Sequence, residues 1–290
     1  MSVLALYIIT VVIWGTTWLA IKQQIGIVPL ELSIAYRFIF ASFLLLLYSL
    51  YKKIDLRLSP RQHFSVLTLG LFIFCLNYIC TYYASKFLAS GLVAVVFSMV
   101  TTVNVINSRI FLGHRASQRL LGGVVIGLIG IVLVFYQDLL KLDPNAQTIM
   151  GLAFAFLGTV FASFGNIISS VNQKNGIQII PANVYGMFYG GVITLCIGLC
   201  KGDTLIFDTS MSYILSLLYL SVFGSIVAFG SYFSLVKLIG PTRASYSAVL
   251  FPIVALILST IFESYQWQLT SLIGVLAIIA GNIFVMKNKV

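Results

Sequence analysis

Residues 3–21 read VLALYIITVVIWGTTWLAI, nineteen residues with no charged side chain and no proline. At about 1.5 Å of rise per residue, a helix of this length is about 30 Å long, the thickness of a bilayer's hydrocarbon core. Working outward from it, apolar runs of similar length fall near 31–51, 64–84, 88–111 and 118–137, and again near 150–171, 181–200, 211–236, 243–262 and 267–286. The breaks carry turn-forming or charged residues: Gly26 and Pro29, Lys52 to Pro60, Lys86, His114 to Ser117, Asp138 to Ala146, Lys174 to Gly176, Gly202 to Ser210, Gly240-Pro241 and Glu263 to Gln266. These runs are too long and unbroken for barrel strands, and only helices or closed barrels satisfy their backbone in lipid. The reading is an all-α polytopic membrane protein with ten transmembrane helices. Composition agrees: 60% of the 290 residues are hydrophobic and 8% are charged, with a mean hydropathy of +1.06. A soluble domain, a disordered chain or a disulfide-stapled module needs charge or cysteine that is missing here.

The formal net charge is +10, yet the basic residues stand singly or in small groups between apolar runs rather than on one wet face. They predict no nucleic-acid partner. They do predict orientation. With the N-terminus inside, the cytoplasmic segments hold Lys52, Lys53, Arg57, Arg61, Arg109, Arg115, Arg119, Lys174, Lys237, Arg243, Lys287 and Lys289, and the outer loops hold Lys22, Lys86, Lys141 and Lys201. Basic residues gather on the cytoplasmic side, so both termini are expected there, in a multi-pass protein of the inner (cytoplasmic) membrane. The first span has no charged leader and no small-residue cleavage site, and is read as retained.

The chain also repeats. A shift of 150 aligns Gly15 with Gly165, Gln23 with Gln173, Gly26-Ile27 with Gly176-Ile177, Phe38 with Phe188 and Tyr82 with Tyr232; a shift of 151 aligns Gly123 with Gly274, Gly130 with Gly281 and Val134 with Val285. A unit with an odd number of spans inserts its second copy upside down. The expected organisation is therefore two inverted five-helix repeats, residues 1–137 and 150–290, joined by an outer linker at 138–149. Inverted repeats of this kind build alternating-access carriers whose site lies at the repeat interface near mid-membrane.

Trp14-Gly15, Arg37-Phe38, Tyr82-Tyr83-Ala84, Gly240-Pro241-Thr242-Arg243-Ala244-Ser245, Pro252 and Glu263 together resemble the EamA-type carriers of the drug/metabolite transporter superfamily. The resemblance spans essentially the whole chain, as two tandem EamA units. It implies a secondary transporter that moves a small polar metabolite, amino acids or their relatives by export. Uptake or exchange of a nucleotide-derived or other solute, and drug export, stand as alternatives. A lipid-handling membrane enzyme or scaffold is the reading from another class.

Nothing in the residues points to catalysis or to a cofactor. There is no GxxxxGK[ST], HExxH or GxSxG pattern, and the histidines, His63 and His114, lie at span ends. Cys75, Cys80, Cys196 and Cys200 sit in apolar helix at spacings unlike CxxC and read as packing residues, so no metal is expected. Glu31, Asp55, Asp138, Asp143, Asp203, Asp208 and Glu263 all fall at span ends or in loops. A carboxylate at the centre of a span costs about 2.5–3.5 kcal/mol on insertion scales and is kept there for function. None is kept, and where small multidrug relatives carry a first-helix acid this chain reads Val11-Val12-Ile13-Trp14-Gly15-Thr16-Thr17.

The interior offers neutral polarity and aromatic surface instead. The candidate solute-binding residues are Trp14, Thr17, Arg37, Asn77, Tyr78, Ser98, Thr101, Asn104, Ser163, Asn166, Tyr185, Tyr232, Ser245 and Tyr246. Each neutral polar residue among them has a second reading as an interhelical hydrogen bond. Ser98, Thr101 and Thr102, with Asn104 less closely, follow helical spacing and share a face. Trp18 stands one turn from Trp14 and reads either as a wall of the same cavity or as an interfacial anchor. Arg37, about 10 Å into its helix at 1.5 Å per residue, reads two ways: pairing with carbonyls or Glu31 at a helix junction, or facing the cavity and holding a substrate carboxylate or phosphate in its fork. Gly123-Val-Val-Ile-Gly127 and Gly186-Met-Phe-Tyr-Gly190 are small-residue faces, open to contacts within the fold or to a homodimer through the fifth or tenth span. Pro252 removes a backbone hydrogen bond from span nine, as a kink or a break. The expected partners are thus a small-molecule solute and the lipid bilayer.

Overall fold

The computed structural model describes residues 1–88, 90–113, 117–134, 136, 140, 146–262 and 267–286. The sequence readings of His114, Arg115, Asp138, Lys141, Asp143, Glu263, Lys287, Lys289 and most of the 138–149 linker lie outside the described residues, as does the side chain of Val285.

Of the described residues 86% are helical, and none is in a strand. Helix α1 spans Val3–Lys22 and α2 spans Leu30–Tyr51. Next, α3 (Pro60–Leu69) passes through a π turn at Gly70–Leu76 into α4 (Asn77–Phe87). Ser59 starts α3 with a capping box: its hydroxyl accepts from the Gln62 N–H while the Gln62 side chain accepts from the Ser59 N–H. After α5 (Ser90–Ser98), α6 (Val100–Leu112) and α7 (Gln118–Val134) comes the long α8 (Ala146–Lys174), then α9 (Ile179–Cys200). A second π turn, Val222–Val227, joins α10 (Met211–Ser221) to α11 (Ala228–Ser245); a 3-10 turn at Tyr246–Leu250 leads into α12 (Phe251–Phe262), and α13 is Leu269–Met286.

Among the described residues, seven segments are long and apolar enough to cross a membrane: Val3–Lys22, Leu30–Tyr51, Pro60–Phe87, Gly91–Leu112, Ala146–Lys174, Ile179–Cys200 and Met211–Val254. The sequence pattern predicts ten. Gln118–Val134 and Leu269–Gly281 are apolar but shorter, and the eighth and ninth predicted spans run together without a loop. Only Gly240, at φ 79° and ψ 162°, interrupts them. That conformation is closed to other L-residues, so one glycine followed by Pro241 turns the chain where a loop was expected.

The polarity of the bundle is that of a protein in lipid. Leu4, Ile8 and Val12 face outward from α1, as do Val125, Ile129 and Val132 from α7 and Leu272, Leu276 and Ile283 from α13, while Thr10, Ser33, Asn104, Thr159, Ser163 and Ser221 are fully buried. A water-soluble protein sorts these residue types the other way. Buried hydroxyls find partners on their own helix: Thr10 donates to Leu6 O at 2.8 Å and Ser49 to Leu45 O at 2.7 Å.

Helix pairing is regular. The α1 helix packs on α11 and α12, and α8 packs on α4 and α6; α2 packs on α9, and α7 on α13. Glycines let the α7–α13 crossing close, and also that of the first π turn with α9. A Cβ on Gly130 would sit 2.7 Å from Gly274 O, one on Gly274 would sit 2.5 Å from Gly130 O, and one on Gly281 would sit 2.9 Å from Gly123 O. The backbones of α7 and α13 therefore touch directly. Likewise a Cβ on Gly70 would lie 2.5 Å from Gly186 O. Both small-residue faces noted in the sequence are engaged inside the chain.

Candidate functional site

Between helices of the two halves lies a small cavity. The first half contributes Trp14, Thr17, Trp18 and Ile21 from α1, Ile73 from the π turn, Asn77, Tyr78 and Thr81 from α4, Phe97 from α5 and Val100 from α6. The second half contributes Ala162 and Asn166 from α8, Phe229, Tyr232 and Ser245 from α11, Ser247 and Ala248 from the 3-10 turn, and Phe251. Aromatic rings interlock along one side: Trp14 lies 4.9 Å from Phe229, 5.0 Å from Tyr232 and 5.8 Å from Phe251 between centroids, and Trp18 lies 5.9 Å from Phe97. Such edge and tilted contacts fix the rings against one another. No Asp, Glu, His, Lys or Arg lines the cavity among the described residues.

Backbone irregularity shapes the wall. The first π turn, through Ile73, and the 3-10 turn, through Ser247 and Ala248, border it, as non-α geometry often does at functional sites. Pro252 lacks the N–H that would continue the α ladder, and the residues just before it, Tyr246–Leu250, are wound as 3-10. This places Ser247, Ala248 and Phe251 on the cavity. Three lining hydroxyls have spent their hydrogens: Thr17 donates to Trp14 O, Ser245 to Thr242 O and Ser247 to Ala244 O, each at 2.8 Å. They present lone pairs. Asn77 donates to Ile73 O at 3.3 Å and accepts from Thr81 at 3.5 Å.

Of the residues expected from sequence, Trp14, Thr17, Asn77, Tyr78, Asn166, Tyr232 and Ser245 come together on this wall. The others are placed elsewhere. Ser98 is buried and bonds Val95 O of its own helix at 2.6 Å, and Thr101 donates to Ser245 O at 3.0 Å, tying α6 to α11. Ser163 donates to Asn104 Oδ1 at 2.7 Å and accepts from Asn107 at 2.8 Å, a network between α6 and α8. Tyr246 turns away to donate to Gly123 O beside α7. Tyr185 packs edge-on at 4.7 Å from His63, whose Nδ1 is 2.8 Å from the Tyr189 hydroxyl. Helical spacing places a polar residue on a face but leaves open which neighbour that face meets, and here the neighbour was usually another helix.

Trp18, the residue with two readings, is a wall residue. Thr81, Phe97, Phe229 and Phe251 also line the cavity without having been singled out. For Thr81 the signal was present, one turn beyond Asn77; for the phenylalanines there was none, because an apolar ring in an apolar run looks like packing.

Arg37 stands behind the wall. It is fully buried: Nε donates to Ser225 Oγ at 3.0 Å, and Nη2 lies 3.3 Å from both the Tyr78 hydroxyl and Gly224 O. Its guanidinium lies 4.6 Å from the Tyr78 ring and 5.0 Å from that of Phe38. Gly224 and Ser225 belong to the second π turn, so the turn supplies the acceptors. Of the two sequence readings, carbonyl pairing is present, but Glu31 is engaged elsewhere. Its Oε1 is 2.5 Å from Lys201 Nζ and 2.9 Å from the Tyr83 hydroxyl, which itself accepts from Lys201 at 2.6 Å. This triad joins the start of α2 to the ends of α4 and α9, and its hydrogen bonds, to Glu31 first and Tyr83 second, raise the pKa of Lys201. The described residues hold no group of three or more metal-binding side chains.

Comparison with known proteins agrees with this architecture. A crystal structure with 16% sequence identity superposes with a TM-score of 0.77 over 98% of this chain and 96% of its own, which establishes the likeness of fold. Protein PagO of Salmonella typhimurium is 24% identical over 97% of this chain and 91% of its own length. An uncharacterized inner membrane transporter of Escherichia coli K12, YedA, is 28% identical over 89% of this chain and 81% of its own. The model of the EamA-like transporter family matches residues 1–136 and again 149–287. With two matching units covering nearly its full length, the chain belongs to the EamA-like transporter family.

Proposed function

We propose that this protein is an alternating-access carrier of the inner membrane that exports a small polar metabolite, amino acids or their relatives, through the cavity between its halves. The observation that carries the reading is the cavity itself: mid-helix, walled by both halves, and lined by neutral polar groups and aromatic rings. The reading includes ten spans in two inverted units with both termini cytoplasmic. Two features support the two-fold repeat, which an odd number of spans in each unit would make an inverted one. First, exchanging each helix for its counterpart in the other half turns the α1–α11 contact into α8–α4 and the α1–α12 contact into α8–α6. Second, the π turns at Gly70–Leu76 and Val222–Val227 fall at matching places in the two halves. Such pairing is what a two-fold axis in the membrane plane produces. The printed name of YedA, an inner membrane transporter, supports the location.

Coupling follows from the lining. With no carboxylate or imidazole among the described lining residues, no protein group there exchanges protons with a solute, and transport proceeds as uniport or solute exchange. The test is flux in proteoliposomes over a panel of amino acids and nucleotides. Counterflow is expected for an amino acid and should persist with the pH gradient collapsed. No flux of any panel member would overturn the carrier reading. Flux that needs the gradient and is lost in Glu31→Gln would overturn the coupling.

A further inference from the structure

Arg37 is a mid-helix charged residue whose charge no carboxylate among the described residues balances. Its bonds go to a serine hydroxyl, a tyrosine hydroxyl and a carbonyl. The nearby carboxylate, Glu31, is held by Lys201, and the further neighbour of the guanidinium is the buried, neutral hydroxyl of Tyr82. A guanidinium sealed in an apolar interior without a counter-charge is costly and is normally retained for function. It is also coupled to the cavity. Tyr78 lines the wall, and because its oxygen accepts from Arg37, its own hydrogen is the part left to donate. Gly224 O is shared by Arg37 Nη2 at 3.3 Å and Trp14 Nε1 at 3.1 Å. Trp18 Nε1, on another lining residue, is a buried donor with no partner. The Tyr78 hydroxyl hydrogen, backed by a positive charge, is thus a donor left to the cavity, while Thr17, Ser245 and Ser247 offer lone pairs.

We propose that Arg37 sets the charge preference of the cavity from behind its wall, as a positioning residue that holds Tyr78 as a hydrogen-bond donor to a solute carboxylate. The solute supplies the counter-charge the chain lacks, and the flat apolar part of the solute rests on Trp14 and the rings around it. Direct contact between the Arg37 fork and the solute is not required, since the fork is already spent on the protein. This inference rests on the reading of the cavity as the carrier's solute site.

Two of the three tryptophans, Trp14 and Trp18, line the cavity, so tryptophan fluorescence of the purified full chain in detergent reports binding without transport. The probes are phenylacetate and phenylacetamide, which share a shape and differ in charge. The parent should bind phenylacetate about tenfold tighter or more, the scale of one charged hydrogen bond. In Arg37→Gln and in Tyr78→Phe the ratio should fall close to one. Tyr78→Phe keeps the ring and its packing, so the donor is tested even where Arg37→Gln does not fold, and a Tyr78 hydroxyl that does not touch the solute would leave the ratio unchanged. An unchanged ratio in Tyr78→Phe overturns the proposal, as does a parent that binds both probes equally or binds no carboxylate. A carboxylate preference without flux in proteoliposomes sustains the inference and removes the carrier reading. Flux of neutral solutes with no such preference does the reverse.

Discussion

Glu31 is buried, whereas the Lys201 side chain that meets it is 46% exposed. Removing the lysine leaves a carboxylate at a helix junction without its cation, while water near the exposed partner moderates the loss. Lys201→Met is expected to cost about 1–2 kcal/mol, read as a lower melting temperature in detergent. In a double-mutant cycle with Glu31→Gln the losses should not add; strict additivity would show that the pair contributes nothing. The raised pKa of Lys201 means its contribution is complete below the ordinary lysine range and is lost only as pH rises through the raised value. Melting between pH 6 and 9 should therefore carry no step from this group. The Asn107–Ser163–Asn104 network makes a second case. Ser163→Ala strands one donor and one acceptor between α6 and α8, at an expected cost of about 1–2 kcal/mol. A melting temperature equal to the parent's would mean that water or a rotamer change replaces the serine. Neither cluster was legible as such in the sequence. Lys201 and Glu31 are 170 positions apart, and Ser163 had the same polar, mid-helix character as residues that do line the cavity.

At the scale of helices, glycine position decides how closely pairs approach. A Cβ on Gly274 would sit 2.5 Å from Gly130 O and 2.7 Å from Val134 N, both backbone atoms that cannot move aside. Gly274→Ala should push α7 and α13 apart and cost about 1–3 kcal/mol. Gly230, in α11, is the internal control: a Cβ there meets nothing within 4 Å. Gly230→Ala should leave the melting temperature unchanged or raise it, because alanine loses less backbone entropy on folding. Equal effects of the two substitutions would show that helix propensity, not close approach, governs these sites. The glycine spacing at Gly123–Gly127 was visible in the sequence, but its partner was not, because spacing shows that a face is small and only the fold shows what lies against it. The π turns had no sequence signal at all.

For the whole molecule, orientation in the membrane is the property to test. In a background whose four native cysteines are replaced by alanine, a cysteine at Asp55 should react with an impermeant thiol reagent only from the cytoplasmic side, and one at Leu205 only from the outer side. The two positions lie in exposed segments of the first and second halves. Labelling of both from the same side would refute the inverted arrangement. The sequence by itself determined that this is a helical membrane protein, because apolar runs of about 20 residues match the bilayer thickness, and its motifs were enough to place it in a transporter family. Those are local or summed properties of the chain. Only the tertiary structure decided which polar side chains meet in the cavity, that Glu31 pairs with Lys201 instead of Arg37, and that Gly240 alone separates two helices predicted as distinct spans. The physical reason is that in lipid a polar side chain must turn inward wherever it lies along a helix, so its residue type announces burial. What it bonds to is set by which helices pack together.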